Sequence, residues 1–144
     1  MDRLVFATGN AGKMREIRQI LGDSVSEILS MKEAGIDVDI VEDGESFEEN
    51  ALIKARAVSR AAGIMAMADD SGLCVDCMDG APGIYSARFM GEDTSYDVKN
   101  GYIMEQAMKV PYEKRTARFV CAIACVLPDG REWVVRGTVE GMIH

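Results

Sequence analysis

Hydrophobic and polar positions change period several times along this chain, and the changes mark its elements. Arg3 to Ala7 is a short, mostly apolar run that reads as a first strand. From Lys13 to Leu21, Met14, Ile17, Ile20 and Leu21 recur at helical spacing, and Gly22 supplies the stop. A second short strand is expected around Val25 to Ile28, before an acidic connection through Asp37, Asp39, Glu42 and Asp43. The best-marked helix runs from Phe47 to Ala62, with Ser46 and Glu49 as a capping box and Gly63 at its far end.

Beyond that helix the pattern shortens. Met65 to Ala68 reads as a strand that gives way to an Asp69-Asp70-Ser71-Gly72 turn, and Leu73 to Val75 resumes the apolar pattern. Gly80-Ala81-Pro82-Gly83 is a turn, with Pro82 fixing one dihedral and Gly83 permitting a positive φ. A third helix is expected from Tyr96 to Met108, weakened by Gly101. Thr116 to Leu127 and Glu132 to Val139 flank Pro128-Asp129-Gly130-Arg131, whose Asp-Gly pair signals a hairpin. The sum is a mixed α/β fold with an antiparallel section, read as one domain over residues 1–144.

Composition narrows the function. At 144 residues, 48% hydrophobic and 28% charged, the chain can bury a core, and no run is long enough for a membrane span. The net charge of -8, without a basic stripe, argues against a nucleic-acid groove. Cytoplasmic placement is the default expectation. The only histidine, His144, is terminal, which removes Ser-His-Asp and Cys-His chemistry.

Four cysteines stand as Cys74-x-x-Cys77 and Cys121-x-x-x-Cys125, a spacing that suggests zinc. The second pair falls in the apolar run Phe119 to Leu127, read as a buried strand. Residues four apart on a strand are separated by roughly 13 Å, at about 3.3 Å per residue. Buried structural thiols are therefore the preferred reading. Cys74 has no evident basic activator for thiol catalysis.

The candidate chemistry starts at Thr8-Gly9-Asn10-Ala11-Gly12-Lys13, between the first strand and the first helix. Free N–H groups and the helix dipole favour an anion there. Gly9 and Gly12 permit close approach, Thr8 and Asn10 add hydrogen bonds, and Lys13 adds charge. The loop is not a Walker A motif, and its bland alternative is an ordinary turn with a solvent-facing lysine. Lys54 lies on the same helical face as Ala51, Val58 and Ala61. It either snorkels to solvent or makes a second phosphate contact. Asp69 and Asp70, if locally extended, face opposite sides, so that one works on a ligand while the other supports. With Glu42 they supply hard oxygen ligands of the kind that hold magnesium together with substrate phosphates. An Asp-rich turn is the structural alternative.

Thr8-Gly9-Asn10-x-x-Lys13, Glu42 to Lys54, and Ala68-Asp69-Asp70-Ser71-Gly72-Leu73 resemble the inosine triphosphate pyrophosphatase family. Pro82-Gly83-Ile84-Tyr85-Ser86-Ala87-Arg88-Phe89, Ala117-Arg118-Phe119 and Gly137-Thr138-Val139-Glu140-Gly141 extend the match over essentially the whole chain. The resemblance implies an elongated two-lobed α/β body with a long twisted mixed sheet flanked by helices, generally paired as a homodimer. It implies magnesium-dependent hydrolysis of non-standard purine nucleoside triphosphates (inosine, xanthosine and their deoxy forms) to monophosphate and pyrophosphate. Thr8 to Lys13 and Lys54 would then hold the triphosphate, and Glu42 and Asp70 the metal. Asp70 would also help activate water, and Ser71 would touch substrate.

Members of that family continue for about a further quarter of the fold, with a Phe-Gly-Tyr-Asp-Pro-like segment, a lysine and a Ser-His-Arg motif that read the base. None of these is in this sequence. That predicts an exposed apolar patch, and the alternative function of a truncated nucleotide-binding homologue with weak, unselective or no hydrolysis.

Overall fold

The computed structural model describes residues 3–8, 10–86, 89–91 and 94–144. Leu4, Val5 and Phe6 of strand β1 (Arg3–Phe6) are buried although their side chains alternate in direction, as a central parallel strand requires. β1 pairs in parallel with β2 (Glu27–Ser30) on one side, Phe6 opposite Ser30. On the other side it pairs in parallel with β3 (Met65–Val75), Phe6 opposite Met67. With β4 (Thr116–Val126) and β5 (Glu132–Met142) the strand order is β2-β1-β3-β4-β5. The short Leu127–Arg131 connection, closed by Leu127 N–H donating to Arg131 O at 2.9 Å, makes the last two strands a hairpin.

The chain divides into two compact units, residues 1–70 with 122–135, and residues 71–121 with 136–144, so that β3, β4 and β5 each contribute to both. In the first, helix α1 (Ala11–Leu21) lies on one face of the sheet. Its Met14, Ile17 and Leu21 join Leu4, Phe6, Val25, Ile28 and Met65 in one apolar cluster. Helix α2 (Phe47–Ala62) contacts β1 and buries Ala51, Ala55 and Val58 completely. Small side chains there let the helix approach closely.

In the second unit, helix α3 (Tyr96–Ala107) turns Ile103 and Ala107 inward, and Ile103 packs with Val75 and Ala117. Arg118 ties that unit's strands. It makes a forked pair with Asp76 at 3.0 and 3.1 Å and reaches Glu140 at 3.1 Å.

Several sequence expectations change. β3 is one continuous strand, and Asp69 to Gly72 form no turn within it. Gly22 does follow α1, but in right-handed conformation at φ -57°. Its lack of a side chain matters for space, since a Cβ there would lie 2.5 Å from Arg18 O. Ile20 is exposed, which leaves Met14, Ile17 and Leu21 as the inward stripe. β4 is no uniformly buried run. Val120, Ala122, Ala124 and Val126 point in, while Cys121, Ile123 and Cys125 are partly exposed and Phe119 faces out. Cys74 and Cys77 are also free, partly exposed thiols.

β5 is exposed nearly throughout, including Trp133, Val134, Val135 and Val139, an apolar surface of the kind expected. Among the described residues no helix is long and apolar enough to cross a membrane.

Candidate active site

Parallel strands with a crossover on either side leave a crevice at their carboxyl ends. Here that place is the end of β1, between Ser30 of β2 and Met67 of β3. β3 continues past it, so Asp69 and Asp70 stand beyond the last β1 pair.

Strand alternation then sorts the two aspartates. Met65 packs in the cluster that holds α1, and Asp69, four residues on, shares its parity. Accordingly the Lys13 ammonium of α1 donates to Asp69 Oδ2 at 2.7 Å, where the carboxylate is nine-tenths buried. Asp70 shares the opposite parity with the buried Ala66 and Ala68, and its partners come from α2. The Asn50 side chain and the Lys54 charge both act on it. Lys54 Nζ also lies 3.1 Å from Glu42 Oε1.

The structure thus brings Glu42, Lys54 and Asp70 into one cluster, and it sets Lys13 against Asp69 instead. Lys54 is partly buried beside the fully buried Ala51 and Val58, whereas Ala61 is exposed.

The loop before α1 differs from expectation in its hydrogen bonds. Asn10 Oδ1 accepts from Gly12 N–H at 2.8 Å and Lys13 N–H at 3.1 Å, and Thr8 Oγ1 accepts from Asn10 N–H at 3.1 Å. Asn10 is a side-chain N-cap, so two of the N–H groups read as free are already held. Ala11, at the first helical position, keeps an N–H that the helix itself does not use. Gly12 has room for that cap alone, because a Cβ would stand 3.1 Å from Asn10 Oδ1. Gly9 lies outside the described residues, as do Ala87 and Arg88 of the later motif. Ser71 is exposed and opens the second unit. A cavity of about 590 Å³ opens beside the loop, lined by Thr8, Asn10, Met14, Ser30, Met31 and Ile36 among others.

Asp70 is the anomalous group. Its Oδ2 is buried without a hydrogen-bond partner, a state that costs about 1–3 kcal/mol when nothing compensates it. Burial pushes its carboxyl above the ordinary aspartate range. The Lys54 ammonium pulls it back, the Glu42 charge raises it, the Asn50 amide lowers it, and Asp69 raises it again. Among the described residues no group of three or more His, Cys, Asp or Glu side chains is placed to hold a metal ion. What the chain offers is a pair, Glu42 and Asp70, with an orphaned carboxylate oxygen. That donor set fits a hard divalent cation whose other ligands are water and phosphate. Burial raises the Cys74 and Cys125 thiols, which disfavours a nucleophilic thiolate at either.

Sequence reasoning missed Asn50. It is only 2% exposed, on the inward face of α2 among apolar residues, and a polar residue inside an apolar stripe was the available signal.

Known proteins share this arrangement of elements. A dITP/XTP pyrophosphatase of Geobacter sulfurreducens is 46% identical over 143 residues, covering 99% of this chain and 72% of the relative. One from Streptomyces coelicolor is 45% identical, covering 100% and 73%. Among solved structures, a HAM1 protein from Coxiella burnetii matches with TM-score 0.89 at 31% identity, over 99% of this chain and 73% of that one. A nucleoside-triphosphatase / dITP/XTP pyrophosphatase from Mycobacterium abscessus matches with TM-score 0.84 at 37% identity, over 97% and 73%. The model of the Ham1 family matches residues 4–144. A match over nearly the full length, with relatives well above 30% identity, places the chain in the Ham1 family.

Proposed function

We propose that this protein is a nucleoside triphosphate pyrophosphatase acting on non-standard purine triphosphates such as dITP, XTP and ITP. The observation that carries the reading is the orphaned, half-buried Asp70 carboxylate set between Lys54 and Glu42 at the carboxyl end of the parallel strands. The relatives' names as dITP/XTP pyrophosphatases supply the substrate class.

In this reading Lys13 and the positive end of α1 receive the outer phosphates, and Lys54 faces the reacting phosphate. Glu42 and Asp70 would hold a divalent cation, magnesium by ordinary availability, which supplies charge neutralisation at the phosphate oxygens. Water attacks the α-phosphorus, the bond to the bridging oxygen breaks, and pyrophosphate leaves. Asp70, beside the reacting phosphate, is the carboxylate that would take the proton released by the water.

The test is product identity. With magnesium present, ITP, dITP and XTP are expected to give monophosphate and pyrophosphate. Diphosphate plus orthophosphate, or no turnover of any triphosphate, overturns the reading.

The same reading takes the chain to act on the cytoplasmic nucleotide pool, as a homodimer, without nucleic-acid or membrane partners. The net charge of -8 opposes polyanions, and the apolar surface of β5 supports self-association.

A further inference from the structure

Thr8, Asn10 and Ala11 belong to the loop that the proposed reading gives to the outer phosphates, and they also line a cavity of about 590 Å³. Ser30, Met31 and Ile36, where the chain leaves β2, supply another part of its lining, and the buried Met14 of α1 a third. β2 and β3 flank β1 on opposite sides. Asp69 and Asp70 are on β3, so the cavity opens on the far side of the β1 end from them. A triphosphate with its α-phosphorus at Lys54 and its outer phosphates at Lys13 and the loop therefore ends beside this cavity. Its own nucleoside, joined at the α-phosphate, leaves from the other end.

Hydrogen bonds hold the cavity's β2 side in shape. Ser30 N–H donates to Glu33 Oε1 at 3.0 Å, and Glu33 N–H returns a bond to Ser30 Oγ at 3.1 Å. Ile36 N–H donates to Met31 O at 2.9 Å and rounds the turn. The Arg18 guanidinium fastens that turn to α1, donating to Ile28 O at 3.0 Å and to Glu33 Oε1 at 2.6 Å. The volume falls within the roughly 300–1,000 Å³ of small-molecule sites. Met14, Met31 and Ile36 make the lining poor for a phosphate and suitable for a flat ring.

The loop is also thinly supplied with donors. Asn10 Oδ1 takes the Gly12 and Lys13 N–H groups, and the Lys13 ammonium gives one donor to Asp69. A terminal phosphate monoester carries about -1.5 to -2 charges at neutral pH. Esterified a second time, it carries only one, which suits such a loop better.

We propose that the site also takes dinucleoside triphosphates, with the base of the second nucleoside in the cavity beside the loop. The inference rests on the pyrophosphatase reading and extends it to triphosphates esterified at the terminal phosphate. Water bonds to the α-phosphorus, the bond from that phosphorus to the bridging oxygen breaks, and a nucleoside diphosphate leaves in place of pyrophosphate. One water is consumed and its proton goes to Asp70, so no further reactant is needed.

The experiment compares ITP with di-inosine triphosphate, two inosines joined 5′ to 5′ through three phosphates, on the whole chain with magnesium. Chromatography of the products is expected to show IMP and IDP from the dinucleotide. Met31→Trp and Ile36→Trp each place an indole in the cavity. Each is expected to lower kcat/KM for the dinucleotide by about 10–200-fold, while kcat/KM for ITP stays at the parent value. Both positions are partly exposed, which leaves the larger ring room, and turnover of ITP reports that each variant is folded.

Hydrolysis of ITP with the dinucleotide left intact overturns the inference and leaves the pyrophosphatase reading standing. Cleavage of the dinucleotide that neither tryptophan affects overturns it too, because the second base then lies in solvent. So does an equal loss for both substrates, since the cavity would then serve the reacting nucleoside. If neither substrate is turned over, the pyrophosphatase reading fails and the inference with it.

Discussion

Lys13 and Asp69 meet at 2.7 Å, joining the first turn of α1 to the part of β3 that runs past the end of β1. Lys13 is nearly half exposed and Asp69 almost enclosed, so the pair is neither a surface bridge nor a buried one. An ammonium has three donors, and one of them is committed here to Asp69.

Replacing Lys13 by Met should therefore act twice. The fold should lose roughly 1–2 kcal/mol, between the values for exposed and buried pairs, and the KM for triphosphate should rise. Asp69→Asn should raise KM without removing the charge, because the lysine loses its direction. A double-mutant cycle by thermal denaturation measures the coupling. Additivity of Lys13→Met and Asp69→Asn would mean that the contact contributes nothing.

Asp70 presents the opposite case, a group whose ionised form opposes folding. Its carboxyl is raised in the folded protein, chiefly by burial, so the native state holds its proton to higher pH than the unfolded chain does. Stability from this group is complete below the ordinary aspartate range and is lost as pH rises through the raised value. At neutral pH, Asp70→Asn should consequently be more stable than the unaltered protein, by about 1 kcal/mol given an unsatisfied buried oxygen. The gain should shrink on acidification. Hydrolysis should fall by about 10²–10⁴-fold in the same variant. Melting curves at neutral and acid pH check the sign, and a variant destabilised at neutral pH would contradict it.

The electrostatics of the cluster can be read on Asp70 directly, by carbon NMR of its carboxyl in metal-free protein. Lys54 lowers that carboxyl's pKa and Glu42 raises it. Lys54→Met should thus move the titration upward and Glu42→Gln should move it downward. Equal or absent movements would mean that the three charges do not form one site.

Residues that obey a local rule were legible in the sequence. α2 begins and ends at the residues its caps indicate, because Ser46 accepts Glu49 N–H and Gly63 takes the left-handed conformation at φ 72°. The Asp129-Gly130 hairpin is likewise a local matter, with Gly130 at φ 94°. What the chain hid was non-local. Asp69 to Gly72 look like a turn in isolation, and only pairing along the sheet keeps β3 extended through them. Asn10 has turn-like chemistry whether its side chain caps a helix or awaits a ligand, and the cap geometry decides. For the site, the loop and the charged residues Glu42, Lys54 and Asp70 could be named, and the resemblance grouped Glu42 with Asp70, but the pairing of Lys13 with Asp69 was not foreseen. Which aspartate meets which lysine follows from the parity of β3 relative to helices on opposite faces of the sheet. Parity needs the strand's full extent.

β5 gives the last prediction. It closes the strand order at one side of the sheet and is exposed along nearly its whole length. An edge strand presents unpaired N–H and C=O groups, and apolar side chains on it favour association with another chain. Trp133 and Val135 are 54% and 65% exposed there, and Trp133 is the only tryptophan in the chain. Its fluorescence consequently reports this strand alone. As protein concentration rises, the emission should move to shorter wavelength as the indole leaves water, with light-scattering mass rising in step. Val135→Lys places a charge on the edge and should hold both signals at their dilute values, since burying an ammonium in a contact between strands is strongly unfavourable. Equal behaviour of variant and parent, or a rising mass with constant emission, would locate self-association elsewhere on the molecule.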